Sequence, residues 1–161
     1  MSEARRPAPI HGTINGAMAL ETADVRKRIR ETIDRARREA AERRARNELA
    51  TDAYNRFRQD ILIPVARQVA NVLRAEGYAF AVHTPADQVL FASERSRDDF
   101  IEFRLDTTGP RPQVVARIEQ RKGRETLVEE RPLRPGVQIE HITDRDVLDF
   151  LADAIEGFVS R

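Results

Sequence analysis

Residues 22–76 constrain this chain most, because apolar side chains recur there at helical spacing for more than fifty positions. The first half of the stretch is a mixture of Arg and Glu around a thin apolar stripe, and the second half turns broadly apolar. Val25, Ile29, Ile33, Ala36 and Ala40 follow one another at steps of three and four, so they line one side of an otherwise charged rod. Thr22 stands where a cap is needed, with Asp24 in the first turn to meet the positive end of the helix dipole. Glu31–Arg35, Asp34–Arg38, Glu39–Arg43 and Glu42–Arg46 lie at i,i+4 in the favourable acid-first order, each expected to contribute about 0.3–0.5 kcal/mol. The stripe ends at Arg43, Arg44 and Asn47, short of the sustained heptads of a committed coiled coil.

Beyond Asn47, the residues Ala50, Ala53, Tyr54, Phe57, Ile61, Leu62, Val65, Val69, Val72 and Leu73 form a face wide enough to cover a sheet. Thr51 either caps a second helix, leaving a hinge at Ala50 and Thr51, or lies inside one rod about 80 Å long. Pro64 lacks a backbone donor and its ring crowds the preceding turn, which predicts a kink over residues 60–64. Gly77 is placed to end the helix in the left-handed conformation, with Tyr78 folding back on the last turn.

From Tyr78 onward the period becomes two. Tyr78, Phe80 and Val82 alternate with small or polar residues; residues 85–87 make a turn; Val89 and Phe91 resume the pattern. Ile101, Phe103 and Leu105 alternate with Glu102, Arg104 and Asp106, and residues 107–110 break the strand. Val114, Ala116 and Ile118 lead to a hairpin tip at Lys122 and Gly123, followed by a strand over residues 125–131. After the interruption at Pro132, Pro135 and Gly136, residues 137–142 read as a short extended segment. Thr143 and Asp146 form an acidic variant of the capping box before an amphipathic helix over residues 144–160. The fold class expected is therefore α+β: a long N-terminal helical arm, an antiparallel meander of four to five strands with one greasy and one charged face, and a C-terminal amphipathic helix on the sheet.

Length permits one domain with an extension: a flexible tail at 1–20, where Pro7, Pro9, Gly12 and Gly16 interrupt any period, a charged arm at 21–50 and a globular domain at 51–161. The net charge of +1 hides an asymmetry. Residues 26–48 hold ten Arg or Lys against five Asp or Glu, whereas residues 98–161 hold ten against fourteen. Cysteine is absent, which excludes disulfides, thiolate metal sites and cysteine nucleophiles. Without a signal-like core or a run of about twenty apolar residues, a cytoplasmic, non-membrane protein is the expectation.

Residue types that carry chemistry are present but scattered. His11, His83 and His141 share no ligand spacing, Ser93 and Ser96 lack a nucleophile elbow, and none of the seven glycines builds a phosphate loop. No cofactor, metal or small-molecule substrate is expected. Adjacent acids at Asp98–Asp99 and Glu129–Glu130 read as solubility charges, since neighbours on a strand face opposite ways. Gly77-Tyr78-Ala79-Phe80 fits the centre of an RNA-recognition strand pattern, yet Glu76 replaces its basic residue and His83 its last aromatic. Tyr78 and Phe80 are accordingly expected in the core.

Two functional readings follow, and neither is enzymatic. In the first, an assembly or adaptor protein uses Val25, Ile29, Ile33, Ala36 and Ala40 to hold a protein partner or a second copy, the arm either projecting or pairing as in a coiled coil. In the alternative, Arg26, Lys27, Arg28, Arg30, Arg37, Arg38, Arg43, Arg44 and Arg46 follow the phosphates of a nucleic acid. The polar group Glu102, Arg104, Arg117 and Glu119 on the outer sheet face is expected to be cross-strand ion pairing.

Overall fold

The first helical hydrogen bond runs from the Val25 N–H to the Glu21 carbonyl at 3.1 Å, so Glu21 occupies the cap position and Thr22, expected there, lies inside the helix. The computed structural model describes residues 21–160, and the tail expected at residues 1–20 lies outside the described residues. The chain divides into two units, Met1–Ala41 and Glu42–Arg161. Helix α1 (Thr22–Phe57) begins in the first and ends in the second. It passes through Thr51 without a hinge. The Thr51 hydroxyl donates to the Asn47 carbonyl at 2.9 Å, a bond to the preceding turn that leaves it no capping role.

In the second unit, α1 continues through a π-helical turn (Arg58–Leu62) into helix α2 (Ile63–Ala75). This is where the kink was expected. Pro64 has no N–H for the Asp60 carbonyl and its ring crowds that oxygen; the wider turn, closed by the Ile63 N–H on the Arg58 carbonyl, takes up the misfit. The turn also sets the register. Buried positions fall at Ala53, Phe57, Leu62, Ala66 and Ala70, with a step of five across the turn and four on either side. Helix α2 ends in a Schellman motif at Gly77 (φ 89°), with the Tyr78 N–H on the Leu73 carbonyl at 2.8 Å and the Gly77 N–H on that of Arg74 at 3.1 Å.

Five strands follow as a plain antiparallel meander: β1 (Phe80–His83), β2 (Val89–Ser93), β3 (Phe100–Asp106), β4 (Gln113–Lys122) and β5 (Glu125–Pro132). Phe91 opposite Ile101, Phe103 opposite Ala116 and Ile101 opposite Ile118 fix the register, and these side chains form the inner face. Helix α3 (Asp144–Val159) and α2 cover that face, so the protein has an α+β fold. Phe80 stacks on Phe91 at 5.0 Å and meets Phe158 at 5.6 Å, while Phe103 meets Phe150 at 5.7 Å. Each large side chain buried in this way contributes about 1.5–3 kcal/mol.

Four expectations need correction. Tyr78 is exposed rather than buried, because the Schellman motif uses its N–H before the strand begins at Phe80. Residues 137–142 are not extended throughout: Ile139–His141 is a 3-10 turn that drops Ile139 and Ile142 into the core. The outer sheet face is not purely charged, since Val115, opposite Pro132 on one side and Arg104 on the other, is buried. Asp99 is not a solubility charge. Only 6% exposed, it accepts the Arg121 N–H at 2.8 Å and ties the entry of β3 to the end of β4.

Candidate functional site: an exposed apolar stripe bordered by arginines

Within the first unit, Val25, Ile29 and Ile33 are 42%, 55% and 44% exposed; Ala36 is exposed and Ala40 half-buried. At about 100° per residue all five fall on one side of the helix. The flank one residue further on carries Arg26, Arg30 and Arg37 against the single acid Asp34, and this flank and the stripe share a shallow hollow. The opposite flank is balanced, with Arg28 and Arg35 against Asp24 and Glu39. Lys27 and Arg38 lie on the far side of the helix by the same spacing. Of the nine basic residues read as nucleic-acid contacts, the structure thus brings Arg26, Arg30 and Arg37 together, while Arg43, Arg44 and Arg46 belong to the second unit.

None of the four expected i,i+4 pairs closes. Among the described residues the i,i+4 ion pair is Arg145 with Asp149 at 3.1 Å, and the arm's guanidinium groups form no ion pair within 4 Å. Solvent screens both partners of an exposed pair and side-chain entropy opposes holding them, so the acids beside these arginines do not immobilise them.

The other chemical groups have structural work. On the outer sheet face, Glu102 stands opposite Arg117, Arg117 pairs with Glu119, and Arg104 holds both carboxylate oxygens of Glu130 at 2.8 Å. Glu130 was read as a solubility charge; only the β4–β5 register, which puts it opposite Arg117, shows its role. The Tyr54 hydroxyl donates to the Asp87 carbonyl at 2.8 Å, and burial pushes its pKa up to about 12, so this phenol stays protonated and anchors α1 to the turn before β2. In the sequence Tyr54 shows only as part of an apolar helix face. His83 and His141 are exposed, and His11 lies outside the described residues. Among the described residues no group of three or more His, Cys, Asp or Glu is arranged to hold a metal, and no helix is long and apolar enough to cross a membrane.

The candidate site is therefore the stripe with its arginine-rich flank, a surface suited to an apolar partner with acidic edges or to a polyanion. No protein-family model, curated protein or solved structure matches this chain, so its function has to be read from these residues and their geometry.

Proposed function

We propose that this is a non-enzymatic assembly or adaptor protein that self-associates, or grips a partner protein, through the helical arm. One observation carries the reading: three large aliphatic side chains, Val25, Ile29 and Ile33, stand 42–55% exposed in a row on a charged helix. Their burial against a partner offers about 1.5–3 kcal/mol per side chain when complete, and the surrounding charges fix the orientation. The test is light scattering of the full chain beside an Ile29→Asp/Ile33→Asp variant, with circular dichroism to confirm equal helicity. Assembly that weakens in the variant supports the reading. Two monomers that capture the same partners would end it.

A second reading rests on a different observation, the clustering of Arg26, Arg30 and Arg37 with no ion pair among the described residues. In that reading the arm binds nucleic acid, with an affinity that falls steeply as salt rises. Replacing Arg26, Lys27, Arg28 and Arg30 by Gln is expected to remove binding to DNA and RNA. Affinity that is absent, or independent of salt, excludes it.

A further inference from the structure

Strand β5 ends the sheet, with β4 on one side of it and no further strand on the other. Gly123 and Arg124 form the hairpin loop, and the flanking pair, Lys122 and Glu125, is the one that exchanges both backbone hydrogen bonds in such a turn. Leu127, Glu129 and Arg131, at alternate positions from Glu125, therefore turn their N–H and C=O groups toward β4. Two bonds bear out this parity. The Leu133 N–H reaches the Val114 carbonyl at 2.9 Å, and the Arg121 N–H, opposite Thr126, points away from β5 to Asp99 at 2.8 Å. Thr126, Val128 and Glu130 thus aim their backbone groups out from the sheet, and no hydrogen bond to those groups forms among the described residues. Residues 125–130 are exposed, Leu127 by 46% and Val128 by 57%. Pro132, with no N–H, closes this edge at the next outward position.

The two sides of the edge differ in charge. On the outer side stand Thr126, Val128 and Glu130, the last held by Arg104 at 2.8 Å. On the inner side Glu129 and Arg131 border a hollow of about 360 Å³ whose other charged residues are Asp153 and Glu156 of α3. Arg131 is engaged by Asp153 at 2.6 Å and Glu129 at 3.3 Å and lies over the Phe150 ring at 4.7 Å, whereas Glu156 forms no ion pair among the described residues. The hollow is left acidic.

We infer that this edge binds an extended segment of a partner protein as a sixth, antiparallel strand, with a Lys or Arg of that segment aimed into the hollow. Outward N–H and C=O groups select an extended chain, and the period of two sets what it must carry. The residue opposite Glu129 falls on the inner side, where a cation faces the acids. Those opposite Val128 and Leu127 fall on the outer and inner sides, each against an exposed aliphatic side chain. Along the partner the order is basic, apolar, apolar. A second β5 is a poorer occupant. Residues 125–131 hold Glu125, Glu129 and Glu130 against the engaged Arg131, so two such edges repel, and no register that aligns their outward backbone groups sets an unengaged base opposite Glu129. The contact uses residues of the second unit alone and is separate from the arm.

The probe is a capped peptide, Thr-Thr-Lys-Val-Leu-Thr-Thr, beside a control with Glu in place of Lys, each titrated to millimolar concentration into the isotope-labelled full-length chain. With the Lys peptide, amide exchange read by NMR is expected to slow at Thr126, Val128 and Glu130 and to stay unchanged at Leu127 and Glu129, whose N–H groups β4 already holds. That alternation distinguishes an added strand from a peptide lying across the surface. The Glu peptide is expected to leave all these amides unchanged. Glu129→Gln/Glu156→Gln is expected to weaken affinity for the Lys peptide by about tenfold, with an unaltered spectrum elsewhere showing an intact fold. Equal action of the two peptides would overturn the selection for a basic segment, and no slowing with either would overturn the strand site itself. Slow exchange at the three outward amides without peptide would also overturn the inference, naming the chain itself as occupant if independent of concentration and a second copy if it grows with concentration.

Discussion

Asp99 shows how much one residue contributes when its neighbours exclude water. Its carboxylate caps the Arg121 N–H at 2.8 Å from a nearly buried position, so Asp99→Ala leaves a backbone donor without its partner near the β3–β4 junction. A loss of about 1–3 kcal/mol is expected in denaturant unfolding. Asp146 acts through charge at the start of α3. Its carboxyl sits below the usual range chiefly because it accepts the Thr143 backbone N–H, with the Arg134 guanidinium adding a smaller pull. A lowered folded-state pKa contributes stability in full above the ordinary carboxylate value near pH ~4, and that contribution is lost as pH falls through the lower folded value. The difference in Tm between the native chain and Asp146→Ala is therefore expected to be larger at about pH 7 than at about pH 3. An equal difference at both would show that the carboxylate charge does not matter there.

At the scale of elements, boundaries are decided by backbone chemistry more than by side-chain pattern. Gly77 ends the α2 segment at φ 89°, and a Cβ built on it meets nothing within 4 Å. The cost of Gly77→Ala is thus purely conformational, and about 1 kcal/mol is expected from thermal or denaturant unfolding, with no change in the packing of Phe80. Gly123 (φ 64°) does the same for the β4–β5 hairpin, where a two-residue loop joins Lys122 to its partner Glu125. Gly77 and Gly123 are both legible as breakers in the sequence. The π turn was legible only as a disturbance near Pro64, because whether a helix bends, breaks or widens depends on which option keeps Phe57 and Leu62 against the same core.

For the whole molecule, the separation of roles between the two units leads to a prediction. The core contains Tyr54, Phe57, Leu62 and the inner sheet face, and none of Val25, Ile29 or Ile33. Ile29→Asp/Ile33→Asp is therefore expected to leave the unfolding free energy of monomeric protein within about 0.5 kcal/mol of the native chain while changing its assembly. Leu62→Ala is expected to behave oppositely, losing about 2–5 kcal/mol through the cavity it opens. Equal destabilisation by both would show that the arm belongs to the folding core.

Local chemistry by itself determined the order and type of the elements. The change from helical to alternating period near Tyr78, the turn residues, and the Thr143–Asp146 capping box are all short-range signals, and the helices and meander follow from them. Tertiary structure decided what depends on partners distant in sequence. Asp99 is buried because Arg121 arrives opposite it, Glu130 is paired because the register brings Arg104 within reach, and Tyr78 is exposed because a carbonyl five residues back claims its N–H. That Val25, Ile29, Ile33, Ala36 and Ala40 share one side of a helix is legible in the sequence, since a single helix face needs only periodicity. The hollow between β5 and α3 is not, because a surface between two elements exists only once packing has set them side by side.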